Sequence, residues 1–216
     1  MKKIMFNDTY CLTNAVLQKR KTNTRRTSQK LQCLSDLSDS GHTPQIRGNK
    51  VIAVKGNEHV VVCNLSFQVG EVVAIAQKYK TICSDKSLPM DFKNKVYNLS
   101  QNTLYTAGIY NKMSVKAEFM PHQIKITGIK IERLQDISDE DCLKEGVKKT
   151  TCKQIDNTWC TYYWHLGVTN KNCPYGQYLE YDTAREAFAH LINAVSGKET
   201  WELNPYVLAY EFELVK

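Results

Sequence analysis

Between Gln123 and Leu134 the chain changes phase in the middle of a strand. Ile124 and Ile126 alternate with Lys125 and Thr127; after Gly128 the apolar positions become Ile129 and Ile131. Strand side chains alternate between faces with a period of two, so a slip of one residue would turn half of these isoleucines to water. An extra residue at the glycine, a β-bulge, keeps all four on one face and places Lys125, Thr127, Lys130 and Glu132 on the other. A bulge also bends its strand, as a small barrel requires.

The other elements are read from caps and periods. Thr183 and Glu186 form a capping box for a helix with Phe188, Leu191, Ile192 and Val195 as its stripe and Gly197 as its stop. Ser138 opens a short acidic helix that Gly146 closes. Tyr206 to Leu214 alternates as a strand after Pro205. His59 to Phe67 is β-prone, and after the Gly70 turn Glu71 to Ala76 is an unbroken apolar run, suited to a strand buried on both faces. Asp8 or Thr9 can cap a first helix running to about Lys19. Residues 27–57, 84–108 and 148–181 read as polar or aperiodic loop insertions in a single domain spanning 1–216. Separated β-segments among helices argue for an α+β fold with a strongly bent sheet or barrel.

Charge is distributed unevenly. Residues 1–56 hold eleven Lys and Arg against three Asp and Glu, a net of +8, whereas the whole chain carries +7. That asymmetry suggests a polyanionic partner, with a solvated basic segment as the bland alternative. No apolar run approaches a membrane span, and Asn7, Asp8 and Thr9 break any signal-peptide core, so a cytoplasmic protein is expected. Cys142, Cys152, Cys160, His165 and Cys173 could be drawn as a zinc set, but none stand as C-x-x-C. The eight cysteines read instead as reduced thiols packing as small hydrophobes, with no metal or cofactor expected.

Four blocks resemble the ASCH family of the PUA-like superfamily, and the last two are similar to phage and gut-bacterial members in particular. They are Met5 to Asn7 with Lys19 to Arg26; Val69 to Ala74; Phe119 to Thr127 with Glu132 to Ile137; and Ala184 to Val215 with Trp201, Asn204, Pro205 and Tyr206. Lys21, Thr24 and Arg26 match the Lys, Glu/Thr and Arg positions of the family signature, while Lys19 stands where it has glycine. The resemblance implies a PUA-like bent β-barrel with flanking helices, a cleft lined by this motif, and RNA or a modified nucleotide as ligand. Some small members of the family are amidohydrolases that deacylate a modified cytidine nucleoside, and others have been linked to RNA cleavage. Their central-strand glutamate falls at Lys125 here.

The candidate binding residues are therefore Arg20, Lys21, Thr24, Arg25, Arg26 and Lys125, with Lys21 and Thr24 as candidate catalytic groups. Lysine and arginine supply phosphate contacts, and Thr24 supplies a donor and an acceptor. Three functions fit: an RNA- or nucleotide-binding module, an amidohydrolase or ribonuclease, and a phage-type scaffold whose 148–181 segment meets a protein. An amide hydrolase needs a base close to Lys21. A charged Lys125 cannot be that base; His122, Glu71 and Glu132 are the candidates to replace it. Tyr105, Tyr110, Trp201 and Tyr206 are available for base stacking or for packing.

Overall fold

The computed structural model describes residues 1–102, 106–155, 158–166 and 178–215. Tyr105 and Cys173 lie outside them. In chain order the elements begin with β1 (Lys3–Ile4), α1 (Leu12–Leu17), β2 (Asn23–Arg26), α2 (Cys33–Asp39), β3 (Thr43–Arg47), β4 (Lys50–Lys55), β5 (Glu58–Asn64) and β6 (Val72–Ile75). They continue with α3 (Tyr79–Ser84), α4 (Met90–Ser100), β7 (Gln123–Arg133), α5 (Asp139–Lys144), β8 (Lys148–Lys153) and β9 (Trp159–Leu166). The last are β10 (Tyr178–Tyr181), α6 (Ala184–Ser196), α7 (Thr200–Leu203) and β11 (Tyr206–Leu214). The fold is mixed α+β.

The central sheet has the order β1-β6-β7-β11-β2, with β1 parallel to β6 and the remaining pairs antiparallel. The bulge sits where the phase change requires it. Glu211 pairs with Gly128 and Phe212 with Ile126, which leaves Thr127 as the extra residue. Ile124 and Ile126 are fully buried, and Ile129 and Ile131 pack against the same core. β6 is buried on both faces, as its unbroken run predicts. Val73 and Ile75 join the main core with Phe188, Leu191 and Phe212, while Ala74 and Ala76 join a second cluster around Tyr79, Ile82 and Val96.

The described ladders form three open sheets rather than a closed barrel. A side chain links the two edge strands of the central sheet: Arg26 Nη2 on β2 donates to the Met5 carbonyl, one residue beyond β1, and this contact marks a seam between them.

Three segments expected as loops are structured. Residues 27–57 carry α2, β3 and β4, and β3-β4-β5 form a separate antiparallel sheet. Leu31 and Leu34, three apart, together with Val51 and Ala53 anchor this segment in the main core; a few buried positions among many polar ones are enough. Residues 84–108 contain α4, whose only buried positions are Val96 and Ser100, too few for a legible stripe. Within 148–181, β8, β9 and β10 form an antiparallel sheet. In it Trp164 Nε1 donates to Thr150 Oγ1 at 2.8 Å, Tyr163 packs on the core, and Trp159 stays exposed. Helix α1 is shorter than expected because both its ends are left-handed, Cys11 at φ 53° and Lys19 at φ 58°. Asp8 does not cap it but accepts from Thr13 Oγ1 at 2.6 Å. Among the described residues no helix is long and apolar enough to cross a membrane.

Candidate functional site

The chain leaves α1 through a tight left-handed turn. Lys19 holds φ 58°, and the backbone amides of Arg20 and Lys21 both donate to the Ala15 carbonyl at 2.9 and 3.0 Å. Lys19 thereby adopts the backbone region that glycine enters without strain. The turn directs Lys21 inward and delivers the chain to β2, which pairs with β11 in the register Tyr210↔Thr24 and Leu208↔Arg26.

Lys21, Thr24, Arg25 and Arg26 line one cavity of about 280 Å³ at the seam between the edge strands. Met5 and Phe6 form one side, Glu145 the floor beside Lys21, and Phe188, Leu191, Ile192 and Val195 the facing wall. The stripe of α6 thus has two uses: Phe188 and Leu191 are also core, and Val195 is 37% exposed. A second cavity of about 330 Å³ shares Met5, Arg26 and Thr27 with the first and continues to Ser66 and Tyr210.

Lys21 is 2% exposed. Its Nζ donates to Glu145 Oε2 at 2.6 Å and to the Glu145 carbonyl at 2.8 Å, with the Phe6 ring centroid 6.0 Å away. Burial pushes the pKa of this lysine below its usual value; Glu145 opposes the shift, and Arg26 and Arg25 add to it. Thr24 is buried in the cavity wall, and its hydroxyl is committed to no hydrogen bond among the described residues. Arg26 lies over Phe6 at 5.8 Å from the ring centroid, and its Nε is buried without a partner. Tyr210 Oη in the adjoining cavity is likewise buried without one.

Arg25 is placed differently. Its side chain is fully buried and pairs with three carboxylates: Glu132 at 2.6 Å, Asp141 at 3.0 Å and Glu145 at 3.2 Å. Lys130 and Lys144 complete the network on Asp141 at 3.0 and 3.3 Å. Burial alone would raise the Asp141 pKa, but hydrogen bonds from Lys130 and Arg25 outweigh it and lower the carboxyl to about 2. The positive charge of the first quarter of the chain is therefore partly neutralised within the fold by the acidic residues around α5.

The structure does not bring the other expected site residues together with Lys21. Lys125 is exposed on β7, opposite Val72 and Glu213, and does not line the cavity. The expectation that it joins the cleft does not match the cavity lining: Lys125 lies five residues along β7 from Lys130, which pairs with Glu132 and Asp141 beside Arg25. Arg20 reaches Gln18 at 3.1 Å, outside the cavity lining. Trp201 packs edge-on against Phe188 at 6.0 Å, and Tyr206 lies under Arg133 at 4.1 Å, so both are packing residues. Glu71 pairs with Lys2, and His122 lies outside the lining.

Sequence reasoning missed Glu145. One signal existed: a glutamate at the C-terminal end of a helix opposes the macrodipole and calls for a cation. Comparison with protein-family models, curated proteins and solved structures finds no match.

Proposed function

We propose that the seam cavity is the active site of an amidohydrolase acting on an N-acylated, cytidine-type nucleoside, on an ASCH-like, PUA-like bent sheet. The observation that carries this reading is the buried Lys21–Glu145 pair beside Thr24, facing an apolar wall. It supplies the carboxylate that Lys125 could not. The site is a small pocket of about 280 Å³ with a half-apolar lining, which suits one planar base with a small acyl group better than an extended strand. Lys21 and Arg25, the cations expected to meet a polyanion, are buried and ion-paired.

In this mechanism Glu145 orients the Lys21 amine, and the lowered pKa increases its neutral fraction. Neutral Lys21 takes the proton of Thr24 as Oγ1 attacks the acyl carbon. It returns that proton to the departing nucleoside nitrogen, leaving an acyl ester on Thr24. Water, deprotonated by the same amine, releases the acid and restores Thr24. The donors of Arg26 oppose the negative charge that develops on the acyl oxygen. Turnover of N4-acetylcytidine should fall by ~100-fold or more in Lys21→Ala, Thr24→Ala and Glu145→Ala. kcat/KM should rise with pH through a pKa below the ordinary lysine value. Absence of turnover across several acyl lengths, with the protein folded, would remove this reading.

One observation favours a second reading, the binding of a phosphate-bearing nucleotide or RNA end: the unpartnered Arg26 Nε between the two cavities. Filter binding of short RNA would then weaken steeply with salt and with Arg26→Ala, while acylcytidines remained intact.

A further inference from the structure

The cysteines do not share one environment. Cys142 is fully buried, and its burial raises the thiol pKa to about 12, which makes it a packing group. Cys63 and Cys83 are also raised by burial. Cys152 and Cys160 stand apart. They are direct partners across the β8–β9 ladder, both are half-exposed, and their Sγ atoms lie 2.9 Å apart. Residues directly opposite in an antiparallel pair have Cα atoms about 4.5 or 5.5 Å apart, and both spacings fall within the range that a disulfide spans. Closing the contact to a bond of about 2.05 Å needs a movement of roughly 0.9 Å, within the reach of a side-chain torsion. The next pair of the ladder, Thr151 and Thr161, joins its hydroxyls at 3.1 Å, so the register is held on both faces of the hairpin.

We propose that Cys152 and Cys160 are a redox-active pair that forms a reversible cross-strand disulfide by exchange with low-molecular-weight disulfides. The two thiols share one contact in which either sulfur can be the donor, so either can react first. With Cys160 first, its thiolate displaces one thiolate from the small disulfide and forms a mixed disulfide. Cys152 loses its proton to water, attacks Cys160 Sγ and expels the second thiolate. Two protein thiols are oxidised, one small disulfide is reduced to two thiols, and no other reactant is needed. The pair is independent of the seam cavity, so its chemistry does not depend on the hydrolase reading.

The test uses the reduced full-length chain and oxidised glutathione. Intact mass after equilibration should show a species lighter by two hydrogen atoms, peptide mapping should join Cys152 to Cys160, and excess reduced glutathione should reverse it. In Cys152→Ser the reaction should stop at a glutathione adduct on Cys160. The proposal is overturned if the folded chain gives no internal disulfide, if the cross-link joins another pair such as one containing Cys173, or if Cys152→Ser still loses two hydrogens.

Discussion

At the scale of single residues, Lys19 and Asp141 show how local chemistry shapes the site. Lys19 has a left-handed backbone that favours glycine, and the turn it forms directs Lys21 into the cavity. Asp141 sits in the first turn of α5, where its charge suits the helix dipole, yet its oxygens serve Arg25, Lys130 and Lys144. Its pKa is about 2 in the fold against 3.8 for an unperturbed aspartate. A depressed carboxylate stabilises the fold fully above its unfolded pKa and loses that contribution as pH falls through the folded value. Asp141→Asn should therefore cost ~2 kcal/mol near neutrality. In urea unfolding followed against pH, the gap between wild type and variant should close between pH 3.8 and about 2. A gap that does not change with pH would show that the lost charge is not the cause.

At the scale of elements, legibility depended on how many residues carried each pattern. α6 has a capping box, a four-residue stripe and a terminal glycine at φ 120°, and it forms where expected. The bulge in β7 was readable because isoleucines flank Gly128 on both sides. α4 was not readable, because it buries little of its own surface. The second cluster beneath it depends instead on close packing. Gly108 lies against the ring of Tyr79, which is 1% exposed and accepts from the Lys116 amide at 3.0 Å. A Cβ at Gly108 would fall 2.8 Å from Tyr79 Cδ2, and the held ring has little room to turn. Gly108→Ala should destabilise by ~1–3 kcal/mol in chemical denaturation. Gly128→Ala should cost less, since its nearest neighbour is the free end of the Glu211 carboxylate.

At the scale of the whole molecule, Arg25 joins the first quarter of the chain to β7 and α5. Removing it leaves Glu132, Asp141 and Glu145 buried or half-buried without their shared cation. Arg25→Ala should destabilise the fold by ~3–5 kcal/mol, with one cooperative transition in denaturant. Lys125→Ala, on the exposed end of β7, should change stability by no more than ~0.5 kcal/mol. Equal effects from the two substitutions would contradict the division of structural and surface cations made by the fold.

The sequence by itself determined the bulged strand, the two-faced burial of β6, the caps of α5 and α6, and the cationic segment that becomes Lys21 to Arg26. These follow from periodicity and backbone sterics, which act between near neighbours. Only the tertiary structure decided that Glu145 meets Lys21 across 124 residues, that Arg25 is a buried hub, that Lys125 stays outside the cavity, and that the sheet stops at a seam. Ion pairing and cavity shape depend on which distant segments share space, and no local pattern of residue types encodes that meeting.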